Sequence, residues 1–483
     1  MHWDNRLKET HISLLLFFGD RVYKVKKPVK TGFLDFTGVG DRQRACEREV
    51  ELNRRLAPDI YLGVAEVTLG DEVVDHMVVM RRLSEASRLS ARLDAPDVDD
   101  DLRHIAHLVA AFHSGADRSP QIDDAAGHAA MLELWEQGIS QMSIFAGPVL
   151  DADEVRRVDL LARAYLAGRR PVFDERISAG RACDGHGDLQ AEDIFVLDDG
   201  PRVLDCLEFD DRLRYGDVLA DVAFLPMDLE RLGHRELGRR FLEVYRELTA
   251  DQWPESLAHH HVAYRAHVRA KVACLRHAQG DEGAADSARR LHRLALDHLE
   301  AGRVRLVVVG GSPGTGKSVV ARGLGERLGA VVVSSDSVRD ELYPRDDRVE
   351  LDRGRYSPDL VASVYDEILR RAELLLGRGE TVVLDASWLD PDQRARARSL
   401  ALSTSSELFE LRCSCPDDVA ASRIEARAAL GTDPSEATVV IARHLASIAS
   451  PWPEATVLST TGDPDDGVAR ALDALDVRVA AHR

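Results

Sequence analysis

No apolar run in the 483 residues approaches the roughly 18 needed to cross a membrane. The opening residues, MHWDNRLKET, lack the apolar core of a secretory signal. Cysteine is sparse: Cys46, Cys183, Cys206, Cys274, Cys413 and Cys415 include no CxxC pair. Cys413 and Cys415 alternate along a strand-like stretch and read as facing one side of a sheet rather than a metal. Reduced thiols and the missing signal predict a cytoplasmic protein. Positive charge is short as well. Lys and Arg total 63 against 83 Asp and Glu, a formal net charge of −20. That balance counts against nucleic acid and anionic membranes as partners, because both bind through a basic surface. A local basic pocket remains compatible with it. No repeat of roughly 20–50 residues and no low-complexity tract stands out.

What is present is an ordinary globular composition, 45% hydrophobic and 30% charged. The length predicts roughly three units of about 150 residues. The most informative stretch is RLVVVGGSPGTGKS, residues 305–318. A β-branched apolar run enters a glycine-rich turn, and an amphipathic pattern follows. Gly311, Ser312, Pro313, Gly314, Thr315, Gly316, Lys317 and Ser318 match the phosphate-binding loop G-x-x-x-x-G-K-[ST]. Glycines let successive N–H groups turn toward an anion, and the helix start adds positive potential. Lys317 would reach the β- and γ-phosphates, and the Ser318 hydroxyl would ligate Mg²⁺. The expected cofactors are therefore ATP and Mg²⁺.

From about residue 303 onward, strand and helix patterns alternate. Strand runs fall at 305–309, 330–334, 381–385, 407–413 and 456–459. Ser357-Pro358 and Asp390-Pro391 read as helix N-caps followed by proline in the first turn. Such alternation predicts a parallel sheet with helices on both faces, an α/β domain over 303–483. The first 302 residues read as α+β, with strands crowded at the start and helices dominating about 100–180 and 217–300. Gly19-Asp20, between two apolar runs, is a hairpin signal.

A second phosphotransfer pattern lies in DGHGDLQAEDIF (184–195) and VLDCLEFDD (203–211). The spacing is that of a kinase catalytic loop and its metal-binding Asp. Asp188 suits a base beside an acceptor hydroxyl, and Asp193 and Asp205 suit Mg²⁺ ligation. The plainer alternative is a set of acidic loop residues in an acidic chain. Upstream, VYKVKKP places Lys24 and Lys26 on one face of a strand, and the next helical segment carries Glu49. A strand Lys and a helix Glu form the ion pair of a protein-kinase-like ATP site. Lys24 is the first choice and Lys26 the second; a solvated strand edge is the alternative for either.

On HGDL (186–189), VLDCLEF (203–209) and GDVLADVAFL (216–225), the N-terminal part resembles the aminoglycoside phosphotransferase family, with its two-lobed, protein-kinase-like fold. The resemblance implies Asp188 as base, Asp193 and Asp205 as Mg²⁺ ligands, and Asp217 or Asp221 as a brace under the catalytic loop. The C-terminal part resembles the P-loop small-molecule and polynucleotide kinases, including zeta-type toxins. SSDSVRDEL (334–342) supplies D-x-x-R after the second strand. By that resemblance Asp336 activates the acceptor hydroxyl and Arg339 holds substrate. With ETHIS (9–13), YKVKKPV (23–29) and GFLDF (32–36), nearly the whole chain is similar to bacterial fusions of an aminoglycoside phosphotransferase-like domain with an AAA-type, P-loop ATP-binding domain. Two departures stand out. Asp193 occupies the position where that family has Asn, adding charge beside the phosphates. No G-x-G-x-x-G loop precedes Lys24, and the turn near Glu9–Ser13 is the candidate phosphate cover instead.

Asp385, closing the strand TVVLD, can hold the water shell of Mg²⁺. Arg423 and Arg427, four apart on a helix, can neutralise the transferring phosphoryl group, or form a solvated face paired with Glu425 or nearby acids. Arg353, Arg355 and Tyr356 are candidates for the acceptor pocket. His259, His260 and His261 read as surface histidines, since adjacent helix residues point apart. Tyr264, Arg265, Arg269 and Lys271 mark a basic helix, for an anionic substrate or for packing. Together these features predict a phosphotransferase with two nucleotide sites, which moves the γ-phosphate of ATP to a hydroxyl of a small molecule. The N-terminal site is either active or decayed. A nucleotide-switched regulatory ATPase with a kinase-like sensing domain is one alternative. A polynucleotide 5′-hydroxyl kinase is another, suggested by D-x-x-R and opposed by the acidic balance. Acceptor identity and oligomeric state are not encoded in any motif found.

Overall fold

The computed structural model describes residues 6–10, 12–30, 35–343, 357–430 and 438–481. Packing divides the chain into two units. Unit 1 comprises Met1–Asp159, Phe173–Trp253 and Ala258–Leu299; unit 2 comprises Leu160–Val172, Pro254–Leu257 and Glu300–Arg483. Arg353, Arg355 and Tyr356 lie outside the described residues.

Unit 1 begins with β1 (Arg6–Glu9), β2 (Ser13–Phe18), β3 (Arg21–Lys26), β4 (Tyr61–Leu69) and β5 (Glu72–Arg81). They form one antiparallel sheet in the order β1-β2-β3-β5-β4. The hairpin turns at Gly19-Asp20: Phe18 faces Arg21, and Gly19 takes φ 58°, as a two-residue hairpin loop requires. The helix Val39–Asn53 covers this sheet, and its Cys46 and Val50 pack with Val22, Ile60, Tyr61, Val78 and Met80. Because side chains alternate along a strand, Lys24 and Lys26 share the face of buried Val22, the face that the helix covers.

The rest of unit 1 is mainly helical, with two short ladders. β6 (Ala182–Asp184) pairs with β9 (Tyr215–Asp217), and β7 (Ile194–Leu197) pairs with β8 (Gly200–Val203). Loops 185–193 and 204–214 leave these ladders and carry the acidic residues. The expectation of surface histidines fails. His260 and His261 are each 1% exposed on helix Glu255–Ala278, which is buried around most of its circumference. Trp135 Nε1 donates to His260 Nε2 at 3.1 Å. Burial lowers the pKa of both rings, that of His261 to about 4, so they are neutral core side chains.

In unit 2, β10 (Arg305–Gly310), β11 (Val331–Ser334), β12 (Val382–Asp385), β13 (Glu407–Ser414) and β14 (Thr456–Ser459) form a wholly parallel sheet. The order β11-β12-β10-β13-β14 puts β10 at the centre. The connecting helices include Lys317–Leu328, Pro358–Arg378 and Pro391–Ser403, the last capped by Asp390, which accepts from Asp392 N. Val307, Val309, Val320, Leu324, Val383, Phe409 and Leu411 fill the core. Cys413 is buried there, and Cys415 lies just past the end of β13. No helix among the described residues is long and apolar enough to cross a membrane.

Candidate active sites

The carboxyl end of β10 runs directly into the glycine loop. Gly311, Gly314 and Gly316 have φ of 142°, 85° and 82°. A Cβ on Gly311 would lie 2.6 Å from Thr315 Oγ1, and one on Gly314 would lie 2.6 Å from Ala420 O. The loop is tied from inside and outside. Thr315 Oγ1 donates to Ser312 O at 2.7 Å, Thr460 Oγ1 to Thr315 O at 2.7 Å, and Gly311 N to Ser387 O at 3.2 Å. Pro313 and Gly314 are buried within it. Gly316 is the N-cap of helix Lys317–Leu328 and offers no side-chain cap. Among the described residues the amides of Gly314, Gly316, Lys317 and Ser318 donate to no backbone carbonyl. This is a cluster of positive dipoles suited to an anion.

Asp385 ends β12 beside this helix start and is 4% exposed. Lys317 and the Ser318 hydroxyl both act to lower the pKa of its carboxyl. Oδ1 has no partner, and burial raises the Asp385 pKa despite Lys317 and Ser318. An orphaned carboxylate oxygen next to a hydroxyl fits a hard divalent cation such as Mg²⁺. β11 ends in register with β12, Ser334 against Asp385. Ser334 then caps the next helix by accepting from Asp336 N, which delivers Asp336 to the same rim. Arg339 Nη1 lies 2.6 Å from Asp336 Oδ1. Arg423 donates to Thr460 O at 2.7 Å, and its Nη1 lies 3.6 Å from where a Gly316 Cβ would be. Arg427 is one turn further along, its Nε 3.4 Å from Arg423 O.

In unit 1 the strand lysines and the helix glutamate meet. Lys24 Nζ lies 2.8 Å from Glu49 Oε1 and 2.6 Å from Asp205 Oδ1. Lys26 Nζ lies 2.6 Å from Glu49 Oε2 and pairs with Glu208. Both lysines are held charged: burial works against them, and the surrounding carboxylates raise the pKa of each. Lys26 is fully buried between its partners, whereas Lys24 reaches the open loop at Asp205. Asp205 takes a left-handed φ of 65°, and its N–H donates to Tyr61 Oη.

Gln190 Nε2 donates to Asp188 Oδ2 at 2.7 Å, and Arg269 Nη1 is 3.6 Å from the same oxygen. Burial raises the Asp188 pKa to about 6, with Arg269 opposing and Asp205 adding. Asp193 is raised as well, by burial and by Asp205 and Asp188. Asp205 is lowered, chiefly by Lys24. Among the described residues nothing donates to the Asp193 carboxylate. A donorless Asp193 carboxylate repelled by Asp205 fits a cation shared by Asp193 and Asp205. Of the two brace candidates, Asp221 underlies the loop: it accepts from His186 N at 2.9 Å, Gly187 N at 2.7 Å and His113 Nε2 at 3.0 Å. Asp217 instead caps Leu219 N and holds Arg176. The turn Glu9–Ser13 spends the Thr10 hydroxyl internally, on Ser13 N and O, and Ser13 is fully buried.

Tyr365, Ser387 and Thr460 carry no motif signal, and Glu208 and Gln190, though inside the kinase-loop stretches, gain a role only from the geometry. Tyr365 Oη accepts from Trp388 N at 3.1 Å and lies 3.3 Å from Ser387 Oγ, bracing the strand end that holds Gly311 N.

Residues 306–450 match a family model described as an AAA domain. The chain is 44% identical over 476 residues to an uncharacterized protein of Mycobacterium tuberculosis, Rv2004c, covering 96% of this chain and 94% of that protein. A Mycobacterium bovis protein, also uncharacterized, matches to the same extent. Among solved structures, a choline/ethanolamine kinase family protein from Mesorhizobium loti aligns with 12% identity over 62% of this chain and 93% of its own, at a TM-score of 0.39. A gluconokinase from Sinorhizobium meliloti aligns with 19% identity over 37% of this chain and 94% of its own, at 0.27.

Proposed function

The chain belongs to the family of the mycobacterial proteins that it matches along nearly its whole length, and on the geometry of its two sites we propose that it is an ATP- and Mg²⁺-dependent phosphotransferase. The observation that carries the proposal is the glycine-loop cradle, whose free amides, Lys317 and the Ser318–Asp385 pair converge at the end of the central strand. Amides of this kind bind a triphosphate tail, and Lys317 supplies the charge that follows the γ-phosphate. Ser318 and Asp385 would hold Mg²⁺, which when bound neutralises phosphate charge. Asp336 accepts the proton of an acceptor hydroxyl as its oxygen bonds to phosphorus and ADP departs. Arg339 keeps that carboxylate in place, and Arg423 faces the phosphates.

Unit 1 supplies a second nucleotide site. Lys24, oriented by Glu49, faces Asp205; Asp193 and Asp205 would hold Mg²⁺, and Asp188 serves as base. The acceptor at each site is a small molecule bearing a hydroxyl, because the negative balance of the chain disfavours nucleic acid. Titration calorimetry of the full chain with ATP and Mg²⁺ tests the assignment. The wild type should bind two equivalents and Lys317→Ala one. Unchanged stoichiometry in Lys317→Ala would rule out the P-loop assignment.

A further inference from the structure

One stripe of the helix Glu255–Ala278 carries Arg265, Arg269, Val272 and Arg276, at helical spacings of four, three and four. The stripe starts beside Asp188, where Arg269 Nη1 lies 3.6 Å from Oδ2. It ends at a cavity of about 440 Å³ lined by Glu9, Thr10, Arg276, Gln279 and Asp281. Arg269 is 31% exposed, and among the described residues its guanidinium has no partner beyond that long contact with Asp188. Arg265 lies one turn back. It donates to Ala220 O at 2.9 Å and sits over the Phe224 ring at 4.2 Å, with no carboxylate in salt-bridge range among the described residues. The acids lining the cavity are already neutralised: Glu9 pairs with Lys27, and Asp281 with Arg276 at 2.5 Å. An acceptor beside Asp188 therefore meets cationic groups with spare hydrogen-bonding capacity. Among the described residues that line the cavity, a polycation would find no unpaired acid.

We infer that the acceptor of the unit 1 site is an anionic hydroxyl compound, a small polyol bearing a carboxylate or phosphate, whose charged group is received by Arg269 on the Arg265–Arg276 stripe. This rests on the reading of Asp188 as the acceptor-side base. In the reaction the acceptor oxygen bonds to the γ-phosphorus, the bond from that phosphorus to the β–γ bridging oxygen breaks, the proton passes to Asp188, and ADP leaves. Planar guanidinium groups bind carboxylate and phosphate in a two-pronged fashion, which an ammonium does not reproduce.

The test uses the full chain carrying Lys317→Ala, so that transfer reports the unit 1 site. Gluconate, glucose 6-phosphate, glucose and kanamycin are compared as acceptors with ATP and Mg²⁺. At least one of the two anions should exceed glucose about tenfold in kcat/KM, and which one it is separates carboxylate from phosphate recognition. Adding Arg269→Gln should remove most of that preference, and Arg269→Lys should restore only part. A preference for glucose or kanamycin overturns the inference. So does an Arg269→Gln loss equal for charged and neutral acceptors, because the arginine would then serve the transferring phosphoryl group. If no acceptor is phosphorylated, calorimetry with gluconate and glucose 6-phosphate in the presence of a non-hydrolysable ATP analogue decides. Binding lost in Arg269→Gln sustains the anion subsite while the catalytic reading fails; no binding of either anion sinks the subsite too.

Discussion

Asp188 sits where a carboxylate is costly to ionise. Its raised pKa, about 6 against an ordinary value near 3.9, arises mainly from burial. A group shifted upward stabilises the folded chain below its unfolded pKa, and that contribution is lost as pH rises through the folded value. At neutral pH the ionised Asp188 is therefore a liability in the metal-free protein. Asp188→Asn should raise the stability of unit 1 at pH 7.5 by up to about 3 kcal/mol, since a tenfold change in an ionisation equilibrium corresponds to about 1.4 kcal/mol. The gain should vanish near pH 4. Thermal denaturation across that range checks it, and a gain independent of pH would contradict the burial argument. The same variant should lose transfer at the unit 1 site, which separates a stability cost from a catalytic use.

At the scale of single elements, the glycine loop and its ties make the sharpest predictions. Gly314→Ala puts a methyl 2.6 Å from Ala420 O at a φ of 85°. Strain of about 1–3 kcal/mol follows, and the loop must open to relieve it. ATP affinity at the P-loop site should fall at least tenfold by calorimetry, with unit 1 binding intact. Thr460→Val removes the hydroxyl that donates to Thr315 O and leaves that carbonyl buried without it. A loss of about 1–3 kcal/mol in unit 2 stability is expected from chemical denaturation. The loop was legible in the sequence because its chemistry is local: glycine, lysine and serine at set spacing between a strand and a helix. The five unit 2 strands were legible for the same reason, as short β-branched runs. Thr460 and Ser387 were not, because a threonine or serine at a strand end carries no period, and only the sheet order brings them to the loop. His260 and His261 misled because a run of polar rings says nothing of the apolar faces packed around it.

At the scale of the whole molecule, the two proposed sites fall in separate units, with Lys317 in one and Asp188 in the other. If each proposed site works through the residues of its own unit, their substitutions should act independently. Lys317→Ala and Asp188→Asn should each abolish one activity, and the double variant should show no ATP turnover in a coupled assay. Glu49 gives this division an evolutionary reading. Its two oxygens neutralise two ammonium groups, those of Lys24 and Lys26. Deleting it would leave each ammonium with one carboxylate fewer beneath the sheet, Lys24 with Asp205 and Lys26 with Glu208, a penalty that selection on folding would oppose even in a lineage that had abandoned phosphoryl transfer. Descendants with a defunct first half would thus still carry the glutamate. Lys24, whose reach to Asp205 serves the open loop, is the position free to drift, and its loss among relatives is the signature that would mark a pseudokinase.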